Sequence, residues 1–492
     1  MVWVPRTSPR QHQKVGTGLV PNLSLSSRAS ASRVSPLGHR SLQVALLVVT
    51  LLTAIDQTIV ATALPTIVEE VGGRAAMGWI FAGYTLAMTA TMPIYGRLGD
   101  LQGRRRLFLG CLVGFVAASA LCGAATSMTQ LIVLRALQGV TGGGVLVLSQ
   151  AVVADAVSAR DRGRFMAPVG LIYATSSVIG PLVGGSLTET LGWRWIFWVN
   201  IPLGAVAIAL AVRSVPHPTG PRAHGRLDIP GSALYVGAVT GLVVLTGTLG
   251  RELSWTSPAA LAGVVVTSLC GALFVARMLR HKDPLIPIGV LRNRPVVIAS
   301  CLGFAVGAAV FALVGYVPTI AQEVLSMRPA SSGALLLALV MGMMLSTTTT
   351  AQWTARTGRY RRLPLVGCAT SAVALTYLAG LDERWPPWRV GIGLFVLGVG
   401  VGCFMMLVVT IAQDTVSSEL VGSATSAVNL VRELGVTIGA ATIGSVLAVS
   451  ITPRLPVLFL TLASVFVAGA GLSLLLPDRT LSERPGPIGE TG

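Results

Sequence analysis

Between Leu42 and Leu476 the chain carries fourteen apolar runs, at roughly 42–65, 77–95, 107–126, 130–153, 165–187, 195–212, 230–250, 258–279, 296–318, 331–353, 364–380, 388–411, 424–450 and 456–476. Each has the length needed to cross a hydrocarbon layer of about 30 Å. At that depth no water bonds a free amide or carbonyl, so each run must satisfy its own backbone as a helix. The pattern predicts an all-α polytopic membrane protein with 14 transmembrane helices. The eleventh run is the tightest fit, squeezed between Pro364 and the stretch Leu381–Trp388.

Composition agrees. Of 492 residues, 53% are hydrophobic and only 11% charged, against about a quarter charged in a soluble chain. The formal charge of +17 raises nucleic acid as a partner. Its distribution argues against that, because thirty-four Arg and two Lys sit in short clusters between apolar runs rather than along one face. With both termini inside, the turns on the cytoplasmic side hold nineteen basic residues. Those outside hold seven: Arg74, Arg194, Arg251, Arg328, Arg384, Arg389 and Arg454. That bias predicts a multi-pass protein of the inner (cytoplasmic) membrane with cytoplasmic termini.

Residues 1–41 contain no apolar run of seven or more, hence no signal-peptide core, and are expected to be a disordered cytoplasmic tail. Gly96–Arg106 after the second run and Ala355–Arg362 after the tenth are related basic turns, a weak internal repeat of the kind transporters carry. It divides the chain into a six-helix half at 42–212, a Pro- and His-bearing linker at 213–229 and an inserted helix pair at 230–279. A cytoplasmic loop at 280–295, a second six-helix half at 296–476 and a tail at 477–492 follow. All six cysteines lie in apolar runs without metal-ligand spacing. The five histidines lie in tails or polar loops, so no metal, cofactor or histidine relay is expected inside the membrane. No Walker or HExxH sequence points to an enzyme.

An ionisable group within a membrane helix costs roughly 2.5–3.5 kcal/mol on insertion scales, so the few present are candidate functional residues. Asp56 lies well inside the first run, Arg135 in the fourth, and Arg432 and Glu433 form a candidate charge pair in the thirteenth. Desolvation favours the protonated acid at Asp56, which suits a group loading and releasing one proton per cycle. A structural hydrogen bond, or a place near the outer interface, is the plainer alternative. Arg135 is a coupling charge or a donor to carbonyls of the first helix. Aligned on the twelfth run it falls opposite Leu394, so a buried charge here belongs to the first half alone.

Several motifs resemble the fourteen-helix drug:proton antiporters of the major facilitator superfamily. Ala54–Pro65 is similar to their first-helix signature. Gly96-Arg97-Leu98-Gly99-Asp100-Leu101-Gln102-Gly103-Arg104-Arg105-Arg106 resembles the superfamily's loop motif, with Leu101 where a basic residue is usual. Leu134–Gly142 resembles the fourth-helix motif and Gly180-Pro181-Leu182-Val183-Gly184-Gly185 the fifth-helix antiporter motif, with Ser176 where Gly is frequent. Gly192–Pro202 is similar to the entry to the sixth helix, and Arg432–Gly435 extends the likeness. The resemblance implies a facilitator fold of 6 + 2 + 6 helices in two pseudo-symmetric halves, exporting amphipathic compounds against a proton gradient by alternating access. It implies Asp56 and Arg135 in proton coupling. Gly96, Asp100, Gly103 and Arg104 with Asp155 would form a latch, unless they only anchor the chain to the inner face. Gly180, Pro181, Gly184 and Gly185 would limit leakage, unless they only pack helices.

Gln57, Tyr84, Tyr173, Phe304, Tyr316 and Gln322 are candidate cavity residues, with contact to lipid or neighbouring helices as the alternative. The expected partners are a small-molecule substrate, protons and lipid, with no nucleic acid, and the chain is expected to act as a monomer. A dedicated metabolite or lipid exporter and a proton symporter remain alternatives.

Overall fold

The computed structural model describes residues 36–73, 76, 79–216, 225–248, 257–327, 329–447, 455–478 and 480–481. The expected tails, apart from 36–41, 477–478 and 480–481, and linker residues 217–224 lie outside them, as do the side chains of Tyr173 and Pro181. The described chain is helical. In the first half it forms α1 (Pro36–Val71), α2 (Trp79–Gln102), α3 (Arg104–Gly123), α4 (Met128–Ala156), α5 (Ala159–Thr190), the short α6 (Trp195–Trp198) and α7 (Asn200–Ser214). The pair α8 (Ile229–Thr248) and α9 (Pro258–Arg280) follows, then α10 (Ile288–Arg292). The second half holds α11 (Arg294–Val306), a π turn at Gly307–Phe311, α12 (Ala312–Leu325), α13 (Pro329–Thr357), α14 (Arg362–Leu378), α15 (Pro387–Gly402), α16 (Met405–Asp414), α17 (Val421–Leu447) and α18 (Leu455–Ser473). Among the described residues, eight helical segments are long and apolar enough to cross a membrane, and three shorter apolar helices accompany them.

Starts and stops follow from local chemistry. Ser127, Ser158, Ser257 and Asn293 cap α4, α5, α9 and α11, each side-chain oxygen accepting the backbone N–H three residues on. The basic stretch 96–106, expected as a loop, is helical through Gln102, and the chain turns at the single residue Gly103 with φ of 96°. Gly358 opens the corresponding turn after α13 with φ of 68°, although there four residues, Gly358–Arg361, separate α13 from α14. The repeat legible in the sequence is thus a pair of turns that each begin on a left-handed glycine. Only a residue without Cβ enters that region freely.

Two apolar clusters fill the first half and one fills the second. The inserted pair joins both. Tyr235 and Val239 of α8 belong to the second-half cluster, while the Tyr235 hydroxyl donates to the Thr89 carbonyl of α2 at 3.0 Å. Leu261, Val264, Val265, Val266, Leu269 and Leu273 of α9 are exposed, an apolar face suited to lipid.

Candidate functional site

Asp56 and Arg135 form a fully buried ion pair. Asp56 is on α1 and Arg135 on α4, both with no exposed surface, and Arg135 Nη1 donates to Asp56 Oδ2 at 2.8 Å. Two carboxamides complete the site. Gln138 Nε2 and Asn200 Nδ2 donate to Asp56 Oδ1 at 2.9 and 2.7 Å. Gln138 Oε1 accepts a second bond from Arg135 Nη1 at 2.7 Å. Asn200 also donates to Ser119 Oγ at 2.9 Å, and Ser119 donates to the Phe197 carbonyl at 3.0 Å. Three donors therefore surround the carboxylate, one on Oδ2 and two on Oδ1.

The helix arrangement dictates this meeting. Gly139 and Gly143 let α4 lie directly on the α2 backbone at Tyr84 and Met88, where a Cβ would collide with main-chain atoms. That contact brings the Tyr84 ring under the Arg135 guanidinium, 4.4 Å from centroid to Cζ, and the Phe197 ring lies 5.8 Å away. Arg135 Nε and Nη2 have no hydrogen-bond partner among the described residues, so the ring faces supply much of what holds the cation. Asn200 and Ser119 were not anticipated as site residues, and Gln138 only as part of a motif. A usable signal existed: Asn200 and Asn429 are the two asparagines within apolar runs, and both are fully buried.

A second constellation joins the halves at the end of the bundle bearing the arginine-rich turns. Asp100 and Arg104 pair at 2.9 Å, and Arg104 also pairs with Asp155, so the three charges expected as a latch do meet. Asp100 does not serve its own neighbouring helix end. It crosses to α17, accepting from the N–H of Gly422 and of Ser423 and from the Ser423 hydroxyl, all at 2.8 Å. A carboxylate there satisfies otherwise orphaned N–H groups and meets the positive end of the helix. Arg104 adds a bond to the Ser418 carbonyl at 2.8 Å. Gly96 and Gly422 allow this approach, each having the other's carbonyl within 2.6 Å of where its Cβ would stand.

The opposite cap was missed. Arg160 of α5 donates to the carbonyls of Ala355 and Arg356 at the C-terminal end of α13, where a cation suits the dipole. Arg162, buried beside it, donates to the Val157 and Ala154 carbonyls and to Gln413 Oε1 at 3.1, 2.8 and 3.3 Å. Burial pulls its guanidinium down to about 10. Gln150 of α4 then meets Asn429 of α17 at 2.7 Å and Gln413 of α16 at 3.2 Å. These bonds between the halves gather at the arginine-rich end.

Gly180 rests against Thr58 of α1, whose hydroxyl donates to the Ser176 carbonyl at 3.0 Å. Gly184 accepts from Thr188, and Gly185 has open space around it. Arg432 and Glu433 pair at 3.0 Å. Of the cavity candidates, Tyr84 is buried beneath Arg135, Gln57 is exposed, and Phe304, Tyr316 and Gln322 are half-buried in the second half. They do not form one group. Leu394, opposite Arg135 in the repeat, is buried in the second-half apolar cluster.

The sequence profile of the Major Facilitator Superfamily matches residues 46–440. The chain belongs to the major facilitator superfamily. Over 418 residues this facilitator is 35% identical to an uncharacterised MFS-type transporter of Mycobacterium tuberculosis, an alignment covering 85% of this chain and 61% of that protein. It is 30% identical to the multidrug transporter MdtP of Bacillus subtilis, covering 82% and 74% of the two chains. It is 28% identical to multidrug resistance protein 3 of the same organism, covering 80% and 77%. Among solved structures, the proton:xylose symporter XylE superposes with a TM-score of 0.64 at 12% identity, over 90% of this chain and 97% of that one. At that identity the likeness concerns the fold alone. The chain spans about three fifths of the length of the Mycobacterium tuberculosis relative, and the Bacillus subtilis relatives carry multidrug transporter and multidrug resistance names.

Proposed function

We propose that this facilitator exports amphipathic organic compounds across the cytoplasmic membrane in exchange for protons. Its 14 spans would be arranged 6 + 2 + 6, with both termini cytoplasmic. The observation that carries the proposal is the buried Asp56–Arg135 pair, a titratable carboxylate held by a cation inside a membrane bundle. Asp56 Oδ2 accepts from Arg135 alone, whereas Oδ1 accepts from two carboxamides. A proton arriving at Oδ2 therefore displaces the Arg135 N–H and leaves the guanidinium on Gln138 and the Tyr84 face. Breaking one side of a buried ion pair costs roughly 3–5 kcal/mol, enough to shift a balance between two arrangements of the helices.

The arginine-rich end, taken as cytoplasmic, is the closed gate. Its Asp100 and Arg160 caps must release α17 and α13 for the cavity to open inward. Proton release and substrate loading would then follow in the opened state. The names of the Bacillus subtilis relatives and the antiporter-type stretch Gly180–Gly185 support export over uptake.

The test is dye and antibiotic efflux from cells expressing the protein, over a panel of compounds, with and without a proton uncoupler. Efflux of several compounds abolished by the uncoupler is the expected result. Efflux that survives collapse of the proton gradient contradicts the coupling. Transport of a single compound in the panel would indicate a dedicated exporter.

A further inference from the structure

A cavity of about 320 Å³ opens at the arginine-rich end, lined by Arg97, His281, Lys282, Asp283, Glu419 and Leu420. Three separate parts of the chain build it: α2, the loop after the inserted pair, and the turn leading into α17. Arg97 is 4% exposed. Its closest charged partner is Asp283, at 4.0 Å from Nη2 to Oδ1, beyond hydrogen-bond reach. Its Nε has no acceptor among the described residues. A guanidinium carries five donors in a planar fork, and burying that charge without acceptors is costly. Among the described residues Arg97 is an under-satisfied cation at this end of the bundle, whereas Arg104 beside it bonds Asp100, Asp155 and the Ser418 carbonyl.

The rest of the lining matches an oxyanion. Lys282 is exposed and brings a second positive charge. His281 Nδ1 accepts the Asp283 N–H at 3.1 Å, which leaves Nε2 as the ring's donor. Asp283 and Glu419 oppose any anion, so selectivity here rests on hydrogen-bond geometry rather than on net charge. A phosphate group presents a fork-compatible pair of oxygens to the guanidinium and keeps further acceptors for Lys282 and His281.

We propose that this cavity binds a phosphate group between Arg97, His281 and Lys282, either free or carried by a lipid headgroup at the cytoplasmic surface. Both sources share the chemistry, and the second fits a basic site at the level of the inner headgroups. An occupant touches the first half, the loop after the inserted pair and the approach to α17 together, and so braces the seam that Asp100 closes. The binding step is independent of the role given to Asp56.

The experiment follows thermal unfolding of the purified protein. In maltoside detergent, sodium phosphate is titrated against sodium chloride at equal ionic strength. In galactolipid discs, the comparison is with and without phosphatidylglycerol. A saturable rise in the midpoint on the order of 2 °C is expected in at least one arm. A rise with phosphate in detergent identifies free phosphate as sufficient, and a rise with phosphatidylglycerol alone identifies the headgroup. Lys282→Gln should weaken half-saturation several-fold and Arg97→Gln should remove the effect. Glu419→Gln, which deletes an opposing carboxylate, should strengthen it. Lys282 is exposed and Glu419 partly so, so both variants keep the fold if Arg97→Gln does not. No saturable rise in either arm, or the same rise in Lys282→Gln and Glu419→Gln as in the parent, overturns the proposal.

Discussion

Asp100 accepts both the backbone N–H and the hydroxyl of Ser423, each at 2.8 Å, from a helix 323 residues along the chain. One carboxylate thus closes the N-terminal end of α17, while Arg160 closes the C-terminal end of α13 with the opposite charge. Acid on a positive helix end and base on a negative one is the arrangement the dipoles favour. Both contacts run from the first half to the second.

This seam tolerates no added bulk. Gly422→Val should force α17 away from Gly96, because even a Cβ at 422 would stand 2.5 Å from the Gly96 carbonyl. We expect transport to fall about tenfold, as for a loss of roughly 1.4 kcal/mol in the closed state, with the protein still inserted. Thiol labelling of a Ser418→Cys reporter from the cytoplasmic side should become faster in the Gly422→Val background. Unchanged labelling and transport would show that the halves do not meet here.

Asn200 has a sharper signature. Asn200→Ala leaves Asp56 Oδ1 with Gln138 as its sole donor. Gradient-driven dye efflux should fall about tenfold, as for the loss of one buried hydrogen bond to a charged group, with the protein still inserted. Dye efflux measured at a constant pH gradient reads this directly. An unchanged rate would make Asn200 a packing residue only.

Outside the bundle, Glu70 at the end of α1 accepts from Arg194 and from Trp193 Nε1. The Arg194 bond first, then the Trp193 bond, hold its carboxyl below its ordinary value of 4.5. A carboxyl lowered in the fold contributes stability above its unfolded value and loses it as pH falls through the folded one. The parent should therefore lose more thermal stability than Glu70→Gln on going from neutral pH to below about 4.5. The exposed pair makes this difference small and weaker in high salt. Equal losses in the two proteins, measured by melting across that pH range, would show that the contact contributes nothing.

Much of this architecture is legible in the sequence, because a bilayer permits few alternatives. Apolar length gives the helices, and the isolated charges Asp56 and Arg135 point to their own meeting. What the residues do not announce is partner identity across long separations. Asp100 reads as one charge of a latch with Arg104 and Asp155, yet it also caps α17, more than 300 residues away in sequence. Tyr84 reads as a cavity aromatic, yet glycines of α4 bring it under Arg135. Asn200 and Gln413 carry no charge, so hydropathy and charge counts pass over them, although an amide buried in an apolar bundle needs a partner as surely as an ion does. Helix breaks at Gly307–Phe311 and between α15 and α16 are invisible for a different reason: apolar runs there continue without punctuation.

The account turns on Asp56. Substituting Asp56→Asn keeps its size and its bonding to Gln138 and Asn200 but removes the titratable charge facing Arg135. In inside-out membrane vesicles with an imposed pH gradient, this variant should insert normally and show no gradient-driven dye transport. Full gradient-dependent transport by Asp56→Asn would contradict proton coupling through this pair.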